Sequence, residues 1–277
     1  MAMSLMTNTS SLSGQRHLGK TNTNLNKSLQ RLSSGFRINT AMDDAAGLGV
    51  SERMRSQIRG LGQAERNAND GLSIIQTAEG AMGEISDILI RMRELSVQSA
   101  NDSITDTERG YLDTEFTDLA SEMDRISQAT RFNSTTLMDG TFATTGLDFQ
   151  IGHENGANFR ITVTIADSSA AGLGFAGTES VGTKADSQSV MATIDAALDT
   201  LNDNRASLGA KGNRLQTAAS AVAVQRENLS AANSRIRDTD VAAETSQMSK
   251  NQVLMQAGVS MLAQANSQPQ MALSLLQ

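Results

Sequence analysis

Apolar residues recur at helical spacing along most of this chain, and in its last third they settle into a period of seven. Ile194, Leu201, Leu208, Leu215, Val222, Leu229 and Ile236 stand seven apart without a break. A stripe with that period stays on one face only if the helix supercoils left-handedly around a partner. At 1.5 Å per residue the run predicts a rod of roughly 65 Å. The other seam position carries Leu198, Arg205, Gly212, Ala219, Arg226 and Asn233. Small and polar residues there either select which partner helix fits, at a cost in stability, or face water at the edge of a helical layer.

Four more helical patterns lie elsewhere. Ile75, Ala78, Met82, Ile85, Leu89 and Met92 alternate spacings of three and four, a second seam that ends near Asn101-Asp102. Thr105, three residues before Glu108, predicts a capping box that opens another helix with the seam Leu112, Phe116, Leu119, Met123 and Ile126. The first segment carries Leu18, Leu25, Leu29, Leu32 and Phe36 as a narrow stripe on a surface of Asn, Thr, Ser and Gln. The last segment mirrors it with Val241, Met248, Met255 and Leu262, and the seven-residue spacing slips at Asp238-Thr239-Asp240, which predicts a joint.

From about Phe132 the period becomes two. Leu147, Phe149 and Ile151, then Phe159, Ile161, Val163 and Ile165, alternate with other residues, and Asn155-Gly156 between them predicts a tight hairpin turn. The Gly/Ala/Ser-rich residues 166–183 predict an exposed loop, with helix resuming near Ser187. The fold class expected is mainly α: long antiparallel coiled-coil rods, paired terminal helices and a small β-hairpin region. The expected domains are 1–43 with 240–277 as paired terminal helices, 44–140 with 185–239 as the rods, and 141–184 as hairpin and surface segment.

Composition sharpens this picture. Aromatics make up 3% of the 277 residues, with no Trp and one Tyr, so the core must be thin helical layers of Leu, Ile, Met and Ala. The fourteen Met fall mostly at heptad-compatible positions and read as core filling. One Pro, Pro269, leaves long helices uninterrupted. Without Cys there is no disulfide or thiol chemistry. The net charge of −7 argues against a nucleic-acid partner, and the longest apolar runs are too short to span a membrane. The N-terminus lacks the pattern of a secretory signal, so export would need a dedicated route.

Candidate chemistry is sparse. His153-Glu154 begins an HExxH pattern, but Ala157 stands where the second His is required. The Gly-rich stretch lacks the Lys-Ser/Thr of a phosphate loop. Asp43-Asp44 and Asp238/Asp240 read as charges at helix starts and joints. No nucleophile, base and orienting group assemble, so neither an enzyme nor a cofactor is expected.

Charge distribution says more than charge. Residues 1–42 hold no Asp or Glu, and from Thr245 onward the sole charge is Lys250. A helix with a single apolar stripe is marginal alone, and an acid-free surface lacks the repulsion that keeps proteins apart. The two ends are therefore expected to be largely unfolded in a free subunit and to order when copies pack together.

The residues NTSSLSGQRHLGKTNTNLNKSLQRLSSGFRINTAMDDAAGLGVSERMRSQIRGL, NANDGLSIIQTAEGAM, RMRELSVQSAN, SRIRDTD and MSKNQVLMQAGVSMLAQANSQPQMALSLLQ resemble bacterial flagellin. The resemblance covers about residues 3–140 and 188–277. It implies a structural subunit that self-assembles into the flagellar filament, secreted and extracellular, with its terminal helices lining a central channel. It further implies passage through the flagellar export apparatus, a chaperone on the C-terminal segment, a cap protein at the growing tip and hook–filament junction proteins as partners. In flagellins detected by vertebrate innate immunity an Arg, a Leu and a Glu meet the receptor, and Arg91, Leu95 and Glu115 match them here. By spacing alone, Arg91 and Leu95 read as a solvated flank. The short middle segment predicts a thin, smooth filament. Competing readings are a hook–filament junction protein, which shares the terminal helices, and a helical signalling rod.

Overall fold

The structure, a computed structural model, describes residues 7–274, with side chains through Ser267. The outermost residues of the two expected terminal segments, and Pro269's side chain, lie outside that range. Five α-helices carry the fold: α1 (Thr9–Ser34), α2 (Ala45–Ser99), α3 (Asp106–Ala129), α4 (Lys184–Arg237) and α5 (Val241–Ser274). Between α3 and α4 run β1 (Arg131–Phe132), β2 (Thr135–Thr136), β3 (Leu147–Gln150) and β4 (Arg160–Val163). The chain divides into two compact units, residues 1–56 with 228–277 and residues 57–227. The division falls inside α2 and α4, so both long helices contribute to each unit.

In the unit of residues 57–227, α2 and α4 run antiparallel. Gly62 lies beside Arg226, Gly71 beside Leu215 and Gly212 beside Ile75, while Arg93 reaches Asp195 at 2.6 Å and Lys184 reaches Asp102 at 2.8 Å. The seam is closed. Ala78, Met82, Ile85, Leu89 and Met92 of α2 and Ile194, Ala197, Leu201 and Leu215 of α4 have no exposed surface. Each such Leu, Ile or Met contributes about 1.5–3 kcal/mol through burial. Helix α3 adds Phe116 and Met123 to the same core. Its start is the expected capping box: Thr105 accepts from the Glu108 backbone and Glu108 accepts from the Thr105 backbone N–H at 2.8 Å. Arg109, itself buried, closes the end of α2 by donating to the carbonyls of Ser99 and Asn101 at 2.9 Å.

The hairpin forms between β3 and β4, with Leu147 opposite Val163 and Phe149 opposite Ile161. Phe149 docks it by lying against Gly71 of α2, where a β-carbon would crowd its ring. The tight turn is not at Asn155-Gly156. Residues 151–159 form a longer connection ending in a 3-10 turn, and Gly156 has an extended backbone. The two-residue turn with left-handed φ angles is Asn133-Ser134, at 45° and 70°, joining β1 to β2. Asn is among the few non-glycine residues that accept that conformation cheaply.

The segment 166–183 also departs from expectation. Leu173, Phe175 and Val181 are buried in the core, and Ser168 is buried with them. Side chains anchor the loop: Asp124 accepts from the Ala170 N–H at 2.8 Å and Asp113 from the Val181 N–H at 2.7 Å. Gly and Ala dominate its composition, but three apolar side chains hold it down.

Candidate functional site

The candidate surface lies in the other unit, on the pair α1 and α5. Helix α1 starts on Asn8, whose side chain accepts from the Ser11 N–H at 3.0 Å, and stops at Gly35, whose φ of 75° ends the helix. Helix α5 starts on Asp240, which accepts from the Ala242 N–H at 2.9 Å. The joints between terminal and long helices are tied together. Phe36 bridges Asp238, Arg37 donates its N–H to the Arg237 carbonyl at 2.6 Å, and Thr239 donates to Gly35 at 2.9 Å. The Arg237 guanidinium lies 4.6 Å above the Phe36 ring and pairs with Glu52 at 2.6 Å. Asp43 is the centre of the first joint, 2.8 Å from Lys27 and accepting from the Asn39 and Thr40 backbone. The Lys27 ammonium and these N–H donors hold its carboxyl far below the usual carboxylate range. Asp44 caps α2 through the Gly47 N–H at 2.8 Å. The acidic pairs thus serve helix starts and joints.

Helices α1 and α5 pack antiparallel. Asn8 donates to the Ala265 carbonyl and Ser11 to Asn266 at one end, each at 2.8 Å, and Arg31 meets Glu244 at 3.5 Å at the other. The seam on α1 is Ser11, Leu18, Leu25 and Leu32 alternating with Gly14, Thr21 and Ser28, all buried or half-buried. On α5 it is Met248, Met255 and Leu262 alternating with Glu244, Asn251, Gly258 and Ala265. Three members of the expected stripe sit off this seam. Leu29 is 47% exposed, Phe36 falls beyond the end of α1, and Val241, at the first turn of α5, is 59% exposed. The missed positions are Ser, Gly and Thr on α1 and Asn, Gly and Ala on α5, which give no hydrophobic signal. Spacing by three and four from Leu18, Leu25 and Leu32 would have found them.

Among the polar residues that the pair leaves uncovered stand several large apolar ones. Leu12 and Leu29 of α1, and Val253, Leu254, Val259 and Met261 of α5, are 47–70% exposed. Of the long-helix seam, Ile194, Leu201, Leu208, Leu215 and Val222 are buried, whereas Leu229 and Ile236 are half-buried. At its alternate positions Gly212 and Ala219 are buried, while Arg205, Arg226 and Asn233 are half-buried and Arg226 pairs with Glu65 at 2.8 Å. The small residues at these positions therefore lie inside the seam and the polar ones at its edge.

Arg91 and Glu115 meet on the surface at 2.8 Å, with Glu94 3.1 Å from the same guanidinium. Leu95 does not join them. It has no exposed surface and belongs to the core, so the three residues do not form one accessible face. Spacing placed Leu95 on a flank, but near its end α2 is covered from more than one side, which brings Leu95, Ser96 and Ser99 inside together. Among the described residues no cluster of His, Cys, Asp and Glu could hold a metal ion. No described helix is long and apolar enough to cross a membrane.

Long helices with a closed apolar seam, and a terminal helix pair with large apolar side chains left exposed, define a helical structural protein. Comparison with known proteins gives the family. Residues 5–143 match the bacterial flagellin N-terminal helical region and residues 191–276 the bacterial flagellin C-terminal helical region. A flagellar filament 30.7 kDa core protein of Treponema maltophilum is 44% identical over 97% of this chain and 98% of its own. A flagellin of Halalkalibacterium halodurans is also 44% identical, again over 97% and 98%. The solved structure of a putative flagellar hook-associated protein from Vibrio parahaemolyticus matches with a TM-score of 0.55 at 15% identity, covering 71% of this chain and 100% of that one. That likeness shows a shared fold and nothing more. The chain belongs to the bacterial flagellin family, and it is a structural subunit of the flagellar filament, built of many copies.

Proposed function

We propose that residues 1–43 with 240–277 are the polymerisation element, lining the filament channel, and that the rods of 44–140 with 185–239 form the tube around it. Residues 141–184 then form the outer surface of a thin filament. The observation that carries this is the set of exposed apolar residues on α1 and α5: with Val241, seven large side chains about half or more exposed, on two helices whose sequence is nearly free of acids. Burial of each against a neighbouring copy contributes on the order of 1–2 kcal/mol, and on α5, whose charges are Glu244 and Lys250, little like-charge repulsion opposes the approach. The filament interface proposed includes Leu18, Leu25, Leu29, Leu32, Phe36, Val241, Met248, Met255 and Leu262. Some of these complete the α1–α5 seam and others face outward.

The same reading places the subunit on a route out of the cell in unfolded form, with the flagellar export apparatus, a chaperone on the apolar α5, a cap protein and hook–filament junction proteins as its partners. A thin seam that buries Ser11, Ser28 and Asn251 unfolds at low cost, which suits threading through a narrow channel. Exposed charges introduced on α5 test the interface. Leu254→Asp with Val259→Asp should leave the circular dichroism of the subunit unchanged and abolish filaments in negative-stain images of seeded protein. Normal filaments from that variant would refute the assignment. Amide exchange adds a second check: residues 7–40 should be protected in the filament and exchange rapidly in the free subunit.

A further inference from the structure

The seam between α1 and α5 contains a reciprocal feature. A β-carbon on Gly14 of α1 would lie 3.3 Å from Leu262 of α5, and one on Gly258 of α5 would lie 3.3 Å from Leu18 of α1. Each helix thus seats one leucine on the other's glycine, one helical turn apart. The arrangement does not reflect a general need for glycine. Gly19, on the same helix, has nothing within 4 Å of its would-be β-carbon.

The two contacts are sensitive to register. If α5 slides by one turn, about 5.4 Å, either Leu18 meets Leu262 with no recess for either, or Gly14 meets Gly258 and leaves a void. Knobs without holes and holes without knobs both cost packing. Little else along this seam discriminates. Its remaining apolar residues, Leu25, Leu32, Met248 and Met255, are flexible or repeat every seven, and a seven-residue period alone tolerates a slip. Among the described residues the other register markers lie at the ends: the hydrogen bonds of Asn8 and Ser11 and the Arg31–Glu244 pair at the rim, and the Arg37–Arg237 and Thr239–Gly35 backbone bonds at the joint.

We propose that the Leu18/Gly258 and Gly14/Leu262 contacts are a two-point key that sets the register of the terminal-helix pair, and so fixes which apolar side chains it presents to neighbouring copies. The proposal rests on the polymerisation reading above. Residues at the key position the interface; they need not touch a neighbouring subunit.

The chain has no native Cys, so an introduced pair reports register. Thr21 and Met255 occupy the next rung after Leu18 and Gly258, and Thr21→Cys/Met255→Cys should form a disulfide readily under mild oxidation. In that background Gly14→Leu should slow cross-linking about tenfold or more, because a one-turn slip carries the sulfurs out of bonding range. Gly19→Leu, on the open face, should leave it unchanged. The exchanged pair Gly14→Leu with Leu262→Gly moves the knob to the other helix and should restore both the cross-link and straight, uniform filaments. Unchanged cross-linking in Gly14→Leu, or no recovery in the exchanged pair, would overturn the key. Register lost with filaments still normal would leave the key standing and refute the polymerisation reading instead.

Discussion

The two units of this chain use the same heptad grammar and reach opposite ends. In the unit of residues 57–227 large apolar side chains from both helices fill the seam, and Met82, Ile85, Leu89, Met92, Ile194 and Leu201 are sealed completely. In the terminal unit the apolar residues described as buried are Leu25 and Ile38, and the seam is completed by Ser11, Ser28 and Asn251. The first seam satisfies itself. The second leaves several of its large apolar residues exposed. On the polymerisation reading proposed above, the two kinds divide the work: rods that fold alone, and ends that become stable against neighbouring copies.

Substitution on each side separates them most sharply. Leu262→Asp places a charge in the terminal seam against Gly14, where desolvation penalises it. The expected outcome is complete loss of filaments, with the subunit's main thermal transition unmoved. Leu201→Ala opens a cavity in the sealed seam and should cost about 2–5 kcal/mol in denaturant unfolding of the monomer. If Leu262→Asp lowered monomer stability as much as Leu201→Ala, the two units would not differ in the way described.

A smaller effect concerns Asn251. It is 3% exposed, and its amide nitrogen finds no hydrogen-bond acceptor within the subunit. An unsatisfied buried amide costs roughly 1–3 kcal/mol, so Asn251→Leu should stabilise the α1–α5 pair. Slower amide exchange in residues 241–265 of the free subunit would show it. An unchanged exchange rate would mean that the terminal seam is not limited by its polar residues.

How much of this was legible in sequence follows the same division. The rods could be read because one seam position of each is apolar throughout, and the capping box at Thr105 and Glu108 and the joint at Asp238–Asp240 could be read because their chemistry is local. In the terminal pair only the residues seven apart spoke. Leu29 and Phe36 joined the expected stripe because hydrophobicity was the sole cue, while Gly14, Ser28 and Gly258, which make the contact, are silent to it. In residues 166–183 small residues set the average, and Leu173, Phe175 and Val181 are too few and too irregular to show a period. The Asn155-Gly156 turn was misplaced because the pair is a strong local signal that the ten-residue spacing of Gln150 and Arg160 overrides. Leu95 failed for a related reason: which flank of a helix is covered depends on a neighbour that the helix's own spacing does not reveal.

The subtlest contrast is in response to acid. Asp43 sits beneath Lys27 and takes backbone N–H bonds from Asn39 and Thr40, so its carboxyl titrates below its unfolded value. A depressed folded pKa means that Asp43 adds stability above the unfolded value, near 3.9, and that this contribution is lost as pH falls through the folded pKa. The carboxylates of the other unit with lowered pKa, such as Asp102 and Asp195, are exposed partners of Lys184 and Arg93 and are screened by solvent. Acidification from pH 5 towards pH 2 should therefore loosen the 35–44 joint before the rods. The measurement is amide exchange of Asn39 and Thr40 in the filament against pH, referenced to Leu89 and Leu201. Asp43→Asn removes the titrating group and should flatten that pH dependence while leaving exchange in the rods as it was. An equal acid response in both regions, or one that survives Asp43→Asn, would show that the joint is held by its backbone pairings to Arg237 and Thr239 rather than by the buried carboxylate.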